Sequence, residues 1–221
     1  MSRTDAIGIV DYGMGNLRSV GKALEALGFP VRVSGSPREL SRCRGIVLPG
    51  VGAFRDCMGN LARQELLPFL REALRDGKPF LGICLGLQVL FSESEEFGRH
   101  EGIGFLQGNV VRFPSGMSSP GEPGRQAVLK IPHMGWNRVE FTMDHPVLRG
   151  LPSGTYFYFV HSYYVRPADP SVVACTTSYG VEFAAGVGRG NLLAVQFHPE
   201  KSQAAGLALL GNFGRLCREA A

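Results

Sequence analysis

Long apolar runs are missing from this sequence: nothing in it approaches the ~20 consecutive apolar residues of a membrane-crossing helix, and its first residues lack the charged-then-apolar pattern of a secretory leader. Neither membrane insertion nor export is expected. Cysteine is sparse as well. Cys43, Cys57, Cys84, Cys175 and Cys217 are odd in number, far apart, and show no C-x-x-C or Cys/His spacing, which argues against a disulfide framework and against a structural metal. A cytoplasmic setting with reduced thiols follows as the expectation. Lysine is scarce, and the arginines are spread singly from Arg3 to Arg218 without a basic run, so the net charge of +4 carries no nucleic-acid signature. No internal repeat is evident. What remains, 44% hydrophobic and 19% charged over 221 residues, suffices for one well-filled core, and a single domain spanning 1–221 is expected.

The first part of the chain alternates strand and helix signals. Residues 6–11 form a short buried-strand pattern, and Leu17, Val20, Leu24 and Leu27 recur at helical spacing until Gly28. A strand at 31–33 leads to Ser36-Pro37-Arg38-Glu39, which reads as a capping box opening a short helix. A third strand at 45–48, a helix over about 64–75, a strand from Phe80 and a helix from Leu85 continue the rhythm. This pattern predicts an α/β fold, an open, largely parallel sheet flanked by helices. After Ser92, strand-like runs at 110–113, 127–131, 155–165, 172–177 and 192–197 point to a mixed or antiparallel extension, with 114–125 a Pro/Gly/Ser-rich surface loop. A final helix from about Gln203 puts Leu209, Leu210, Phe213, Leu216 and Cys217 on one face.

The chemistry concentrates in Gly82-Ile83-Cys84-Leu85-Gly86-Leu87-Gln88, where an apolar strand breaks at a cysteine with glycines two residues away on either side. A nucleophile on a sharp strand-to-helix turn crowds the chain at those positions, and glycine relieves the crowding. The Leu85 N–H then opens a helix and is a candidate oxyanion donor. The plain alternative is a buried core cysteine. A thiol with an ordinary pKa near ~8.5 needs a base. A later apolar run delivers His198-Pro199-Glu200, a histidine with a carboxylate behind it to fix its tautomer. The candidate triad is Cys84, His198 and Glu200.

Pro49-Gly50-Val51-Gly52 follows the third strand, at the sheet edge where open α/β folds bind ligands. The Val51 amide is a candidate second oxyanion donor and Gly50 and Gly52 candidate substrate contacts; a loop that merely turns is the equal alternative. Asp11-Tyr12-Gly13-Met14-Gly15-Asn16 superficially suggests a dinucleotide loop, but Arg18 stands where a third glycine is needed, so nucleotide binding is discounted. His100, His133, His145 and His161 have no ligand-like spacing, although His161-Ser162-Tyr163 ends an aromatic strand and is placed to line a pocket through Ser162 and Tyr163.

Taken together, Pro49-Gly50-Val51-Gly52, the Cys84 elbow and His198-Pro199-Glu200 resemble the class I (triad) glutamine amidotransferases. Within that family, the Asp11-to-Leu17 and Pro132-His133-Met134-Gly135-Trp136-Asn137 blocks are similar to the glutaminase subunits of imidazole glycerol phosphate synthase, and Leu87 stands where many other members carry histidine. The resemblance implies a flavodoxin-like fold, hydrolysis of L-glutamine through a cysteinyl thioester without a cofactor, and transfer of the ammonia to a separate (β/α)8 cyclase subunit in a heterodimer. It implies a glutamine contact at Gln88. Met134, Trp136 and Lys201 are candidates for the partner surface, against the alternatives of a core tryptophan and an ordinary exposed lysine. Rival readings are a glutaminase serving anthranilate or guanylate synthesis, a cysteine peptidase or chaperone-like hydrolase with the same elbow, and a non-catalytic subunit of the same fold.

Overall fold

Four strand segments, Ile-Gly-Ile-Val, Gly-Ile-Val-Leu-Pro-Gly, Phe-Leu-Gly-Ile-Cys and Leu-Leu-Ala-Val, are buried along their whole lengths, as strands covered on both faces must be. In the computed structural model, which describes residues 4–118 and 128–220, they form the centre of the sheet. The first part of the chain runs β1 (Ile7–Val10), α1 (Leu17–Ala26), β2 (Val31–Ser34), α2 (Pro37–Leu40), β3 (Gly45–Gly50), α3 (Phe54–Arg63), α4 (Leu66–Arg75), β4 (Phe80–Cys84) and α5 (Leu85–Gln88). There follow β5 (Glu93–Ser94), β6 (His100–Glu101), β7 (Gly108–Arg112), β8 (His133–Phe141), β9 (Thr155–His161), β10 (Tyr163–Pro167), β11 (Val173–Tyr179), β12 (Val181–Arg189), β13 (Leu192–Val195) and α6 (Gln203–Glu219).

The main path of the sheet has the order β2-β1-β3-β4-β13-β12-β10-β7-β5-β6. From β2 to β13 every pairing is parallel; β12 then joins β13 antiparallel and begins the extension, in which β11, β8 and β9 add further antiparallel pairs. One face is covered by α1 and α6, with Val20, Leu24, Leu209, Leu210 and Phe213 against Ile7, Ile9 and Val195. The other is covered by α3 and α4, with Phe54, Leu61, Leu70 and Leu74 against Ile46, Leu48 and Phe80. The register sets Gly50 of β3 beside Cys84 of β4, and Val195 of β13 beside Ile83. Three strand ends therefore meet at one carboxyl edge of the sheet.

The α/β layering agrees with the sequence pattern, and several details depart from it. The helix expected over about 64–75 is α4, which starts at Leu66 after a left-handed Glu65 with φ 55°; the helix before it, α3, was not expected and buries Phe54, Cys57 and Leu61 on one face. Ser36 does precede α2, but its side chain makes no capping bond; instead the Ser36 N–H donates to Ser34 Oγ at 3.0 Å. The run at 155–165 divides at Ser162 into β9 and β10. The strand expected at 127–131 is reduced to a single bridge between Val128 and Ser118, Ala127 lying outside the described residues, as does most of the loop expected at 114–125. β8 and β12 escaped the sequence pattern. β8 turns polar His133 and Asn137 toward the interior, and β12 is built of small residues, with Gly186 and Gly188 leaving room for Cys175 Sγ and Met143 Sδ. Among the described residues no helix is long and apolar enough to cross a membrane.

Candidate active site

The turn from β4 into α5 holds Cys84 at φ 55° and ψ −108°, a conformation that costs a non-glycine residue energy and is sustained by its surroundings. The flanking glycines show why. A β-carbon on Gly86 would sit 1.8 Å from the Leu48 carbonyl oxygen, and one on Gly82 would sit 2.8 Å from the Gly86 oxygen. α5 is a single turn, so a helix dipole contributes little; what remains is the Leu85 N–H, which as the first helical donor has no acceptor within the helix.

The candidate base arrives from β13. His198 leaves the strand end and enters a 3-10 turn, Pro199–Lys201, whose frame is held by backbone and serine bonds: His198 N–H donates to the Tyr158 carbonyl at 2.9 Å, Ser202 Oγ donates to the His198 carbonyl at 2.7 Å, and the Tyr158 N–H donates to Ser202 Oγ at 3.0 Å. His198 Nδ1 lies 2.9 Å from Glu200 Oε1, with both side chains all but inaccessible. Burial pulls the His198 pKa down, but hydrogen bonding and charge from Cys84 and Glu200 outweigh it and push it up to about 10 from 6.5. Nε2 nevertheless makes no hydrogen bond of normal geometry. The ring and the Cys84 sulfur interact chiefly through charge, and Nε2 is left open to accept the thiol proton.

Cys84 stands apart from the other cysteines because it alone lines the cavity at the sheet edge, a space of roughly 310 Å³ bounded also by Val51, Gly52, Leu85, Gln88, Glu96, Pro132, Val160, His161, Ser162, Tyr163 and His198. Burial pushes the Cys57 and Cys217 thiols up to about 12. Of the sequence candidates, Cys84, His198, Leu85, Val51, Gly52, Gln88, Ser162 and Tyr163 come together around this cavity. Gly50 does not line it: its α-carbon is pressed between Leu85 and the Tyr12 hydroxyl, where a β-carbon would be 2.8 Å from each. That hydroxyl donates to the Pro49 carbonyl at 2.9 Å and so braces the glycine loop from behind. Met134 and Trp136 lie off the cavity on β8, 62% and 47% exposed, which removes the reading of a core tryptophan. Trp136, Tyr158 and Lys201 form one surface cluster, with ring centroids 6.2 Å apart and Lys201 Nζ 5.8 Å from the Tyr158 ring.

Sequence reasoning missed Glu96, Gln196 and the role of His161. Glu96 is the acid lining the cavity, and its Oε2 accepts the Phe54 N–H at 2.6 Å. It sits in an acidic stretch with no spacing signal. Gln196 is fully buried between Gln88 and Cys84, and its place two residues before His198 was the available clue.

Residues 8–215 match the model of the glutamine amidotransferase class-I family. The chain belongs to this family. As a class-I glutamine amidotransferase it is 54% identical over 206 residues to the imidazole glycerol phosphate synthase subunit HisH of Syntrophotalea carbinolica, covering 93% of this chain and 98% of that one. It is 53% identical over 214 residues to the protein of the same name from Moorella thermoacetica, covering 97% and 96%. Among solved structures, PurLQS from Thermotoga maritima superposes with a TM-score of 0.68 at 22% identity, over all of this chain and 97% of that one. A structure described as a glutamine amidotransferase gives 0.69 at 19%, over 96% and 99%; at these identities the likeness speaks for the shared fold alone.

Proposed function

We propose that this chain is the glutaminase subunit of an imidazole glycerol phosphate synthase, acting as one unit over its whole length in a reducing cytoplasm, and that Cys84, His198 and Glu200 are its triad. The observation that carries this reading is the His198–Glu200 pair at 2.9 Å, delivered by β13 to the strand end beside the strained Cys84 elbow. The sequence identity above half to proteins named as that synthase subunit favours it over a subunit for anthranilate or guanylate synthesis.

The chemistry runs as follows. The Cys84 proton goes to His198 Nε2, and the thiolate adds to the side-chain amide carbon of glutamine. The oxyanion is held by the Leu85 N–H and the Val51 N–H. As the tetrahedral adduct collapses, the C–N bond breaks, the imidazolium gives its proton to the leaving nitrogen, and ammonia departs from a thioester. Neutral His198 then takes a proton from water, hydroxide adds to the thioester, and the C–S bond breaks to give glutamate and the thiolate. Glu200 keeps the proton of Nδ1 directed toward itself, so that Nε2 is the working nitrogen throughout. No cofactor enters any step. Glu96 supplies the negative charge for the substrate ammonium, while Gln88, Gly52, Ser162 and Tyr163 complete the pocket.

Ammonia passes to a cyclase subunit of (β/α)8 fold, which docks on the face carrying Met134, Trp136 and Lys201. The test is to co-purify the chain with candidate synthase subunits and measure glutamine hydrolysis. Binding to, and stimulation by, the cyclase subunit is expected; stimulation by an anthranilate or guanylate synthase subunit instead would overturn the assignment.

A further inference from the structure

The Tyr163 carbonyl oxygen receives donors from two sides, Gln88 Nε2 at 3.0 Å and His161 Nδ1 at 2.8 Å. A carbonyl oxygen only accepts, so it fixes where the protons of both partners lie. For Gln88 this sets the amide orientation, and the same NH₂ group meets Gln196 Oε1 at 3.0 Å. With its oxygen so engaged, Gln196 presents its own NH₂ to its other neighbour, and Nε2 stands 3.6 Å from Cys84 Sγ. Turning over either amide would set N–H against N–H along this line, or leave the Tyr163 oxygen facing another oxygen.

The other branch is equally directional. A proton on His161 Nδ1 leaves Nε2 bare to accept from His133 Nδ1 at 2.9 Å, and His133 Nε2 in turn accepts from Asn137 Nδ2 at 3.2 Å. Burial lowers the His161 pKa to about 3 and the His133 pKa to about 4, so neither ring takes up a second proton near neutrality that would reverse a bond. The Tyr163 carbonyl is thus held by two fixed donors and does not swing away from Gln88.

We propose that Gln196 is a further catalytic residue of the hydrolysis, donating a hydrogen bond from Nε2 to the nucleophilic sulfur of Cys84, and that the Tyr163 carbonyl, acting through Gln88, dictates that it donates. Gln196 is inaccessible to solvent, so its N–H faces sulfur in surroundings where hydrogen bonds to charge are strong. It favours the thiolate when the sulfur attacks, and again when the thioester collapses and the sulfur leaves. His198 supplies and returns the proton; Gln196 holds the charge without exchanging one. Gln88 is the positioning residue between the two.

This inference builds on the glutaminase reading, and its test separates the two. Alkylation of Cys84 by iodoacetamide, followed against pH, needs no glutamine; a Cys84→Ala control assigns the signal. Gln196→Met removes the donor at similar volume, and its alkylation midpoint is expected to rise by about one pH unit. Gln196→Glu places a carboxylate oxygen against the sulfur and is expected to raise it further. With the cyclase subunit present, kcat in Gln196→Met should fall roughly 10-fold while KM changes less than about 3-fold. A folded Gln196→Met variant with the wild-type midpoint would overturn the proposal. Should both Gln196 variants unfold, Gln88→Met, which frees Gln196 to rotate, carries the same readout: a raised midpoint supports the assignment and an unchanged one ends it. Wild-type chain that alkylates normally but never turns over glutamine would sink the glutaminase reading and leave the sulfur contact standing.

Discussion

Gly86 lies against the Leu48 carbonyl so closely that a β-carbon there would be 1.8 Å from the oxygen. The first turn of α5 is thereby seated directly on β3, and the strained backbone of Cys84 is held by this contact. Gly86→Ala forces backbone apart from backbone, a change in the range of overpacked cores, ~1–3 kcal/mol or more. In a chain of this length each 1 kcal/mol lowers Tm by ~2–4 °C. We expect a clear fall in Tm and, because an ångström of misplacement costs ~10²-fold, near-loss of glutaminase activity. A variant with wild-type melting and turnover would show that the elbow does not depend on the contact.

Cys84→Ala is expected to keep the fold and lose glutamine hydrolysis. In the complex with the cyclase, added ammonia should still support product formation at the wild-type rate, since the nucleophile alone has been removed. If ammonia-dependent synthesis fails too, Cys84 serves the partner's site and the triad assignment falls.

Removal of the base and removal of its orienter should differ in degree. His198→Ala leaves no group to carry the proton and should be nearly inactive. Glu200→Gln keeps the size and the contact to Nδ1 but loses the charge; the ~10⁴-fold cost of such a loss in a serine system should be smaller for the more nucleophilic thiol. Steady-state kinetics in which Glu200→Gln is as inactive as Cys84→Ala would contradict this ranking.

Stability should be greatest near neutrality, with a histidine cause on each side. Burial lowers the pKa values of His133, His145 and His161, so the unfolded chain binds the extra protons and stability is lost as pH falls below 6.5 toward about 4. His198 is raised to about 10, so its contribution is complete below 6.5 and is lost as pH rises from there through about 10. Each group contributes a slope of up to ~1.4 kcal/mol per pH unit within its window. Denaturant unfolding from about pH 5 to 9 should trace this dome, and a profile flat between about 5 and 6.5 would exclude neutral buried histidines.

Partner occupancy should gate the reaction. Val51 is 40% exposed at the cavity rim, and Gly52 after it has φ 95°, so the peptide that is proposed to supply the second oxyanion donor lies in the most adaptable part of the site. One missing donor is worth ~10²–10³ in rate. Glutaminase rates are therefore expected to be low for the chain alone and to rise by about that factor with ligand-loaded cyclase. Equal rates alone, with apo cyclase and with loaded cyclase would remove the gating.

What was legible in the sequence follows from which interactions leave a local trace. The elbow announces itself because steric crowding demands Gly82 and Gly86 at fixed offsets from Cys84, and the parallel strands because double-sided burial makes them uniformly apolar. Glu96 leaves no such trace, and Gln196 only its place two residues before His198; their roles come from neighbours far along the chain, Gln88 and Cys84 for Gln196 and Phe54 for Glu96. β8 was hidden for a related reason. Two of its inward positions are taken by His133 and Asn137, whose polarity is satisfied by His161 and the Ser178 carbonyl and which leave only Val139 and Phe141 apolar on that face, too short an alternation to detect. The left-handed backbone at Glu65, between α3 and α4, left no trace either, because nothing in a glutamate predicts it.

β13 is inserted between β4 and β12, pairing parallel with the first and antiparallel with the second, and the chain leaving it brings His198, the proposed base, to the cavity of Cys84. During synthesis the elbow is made long before this strand emerges from the ribosome. Until β13 is seated, the nascent chain holds a thiol without a proton acceptor and a cavity without one wall. On the proposed triad, competence is thus conferred late in assembly, by a strand that also joins the parallel half of the sheet to its antiparallel extension.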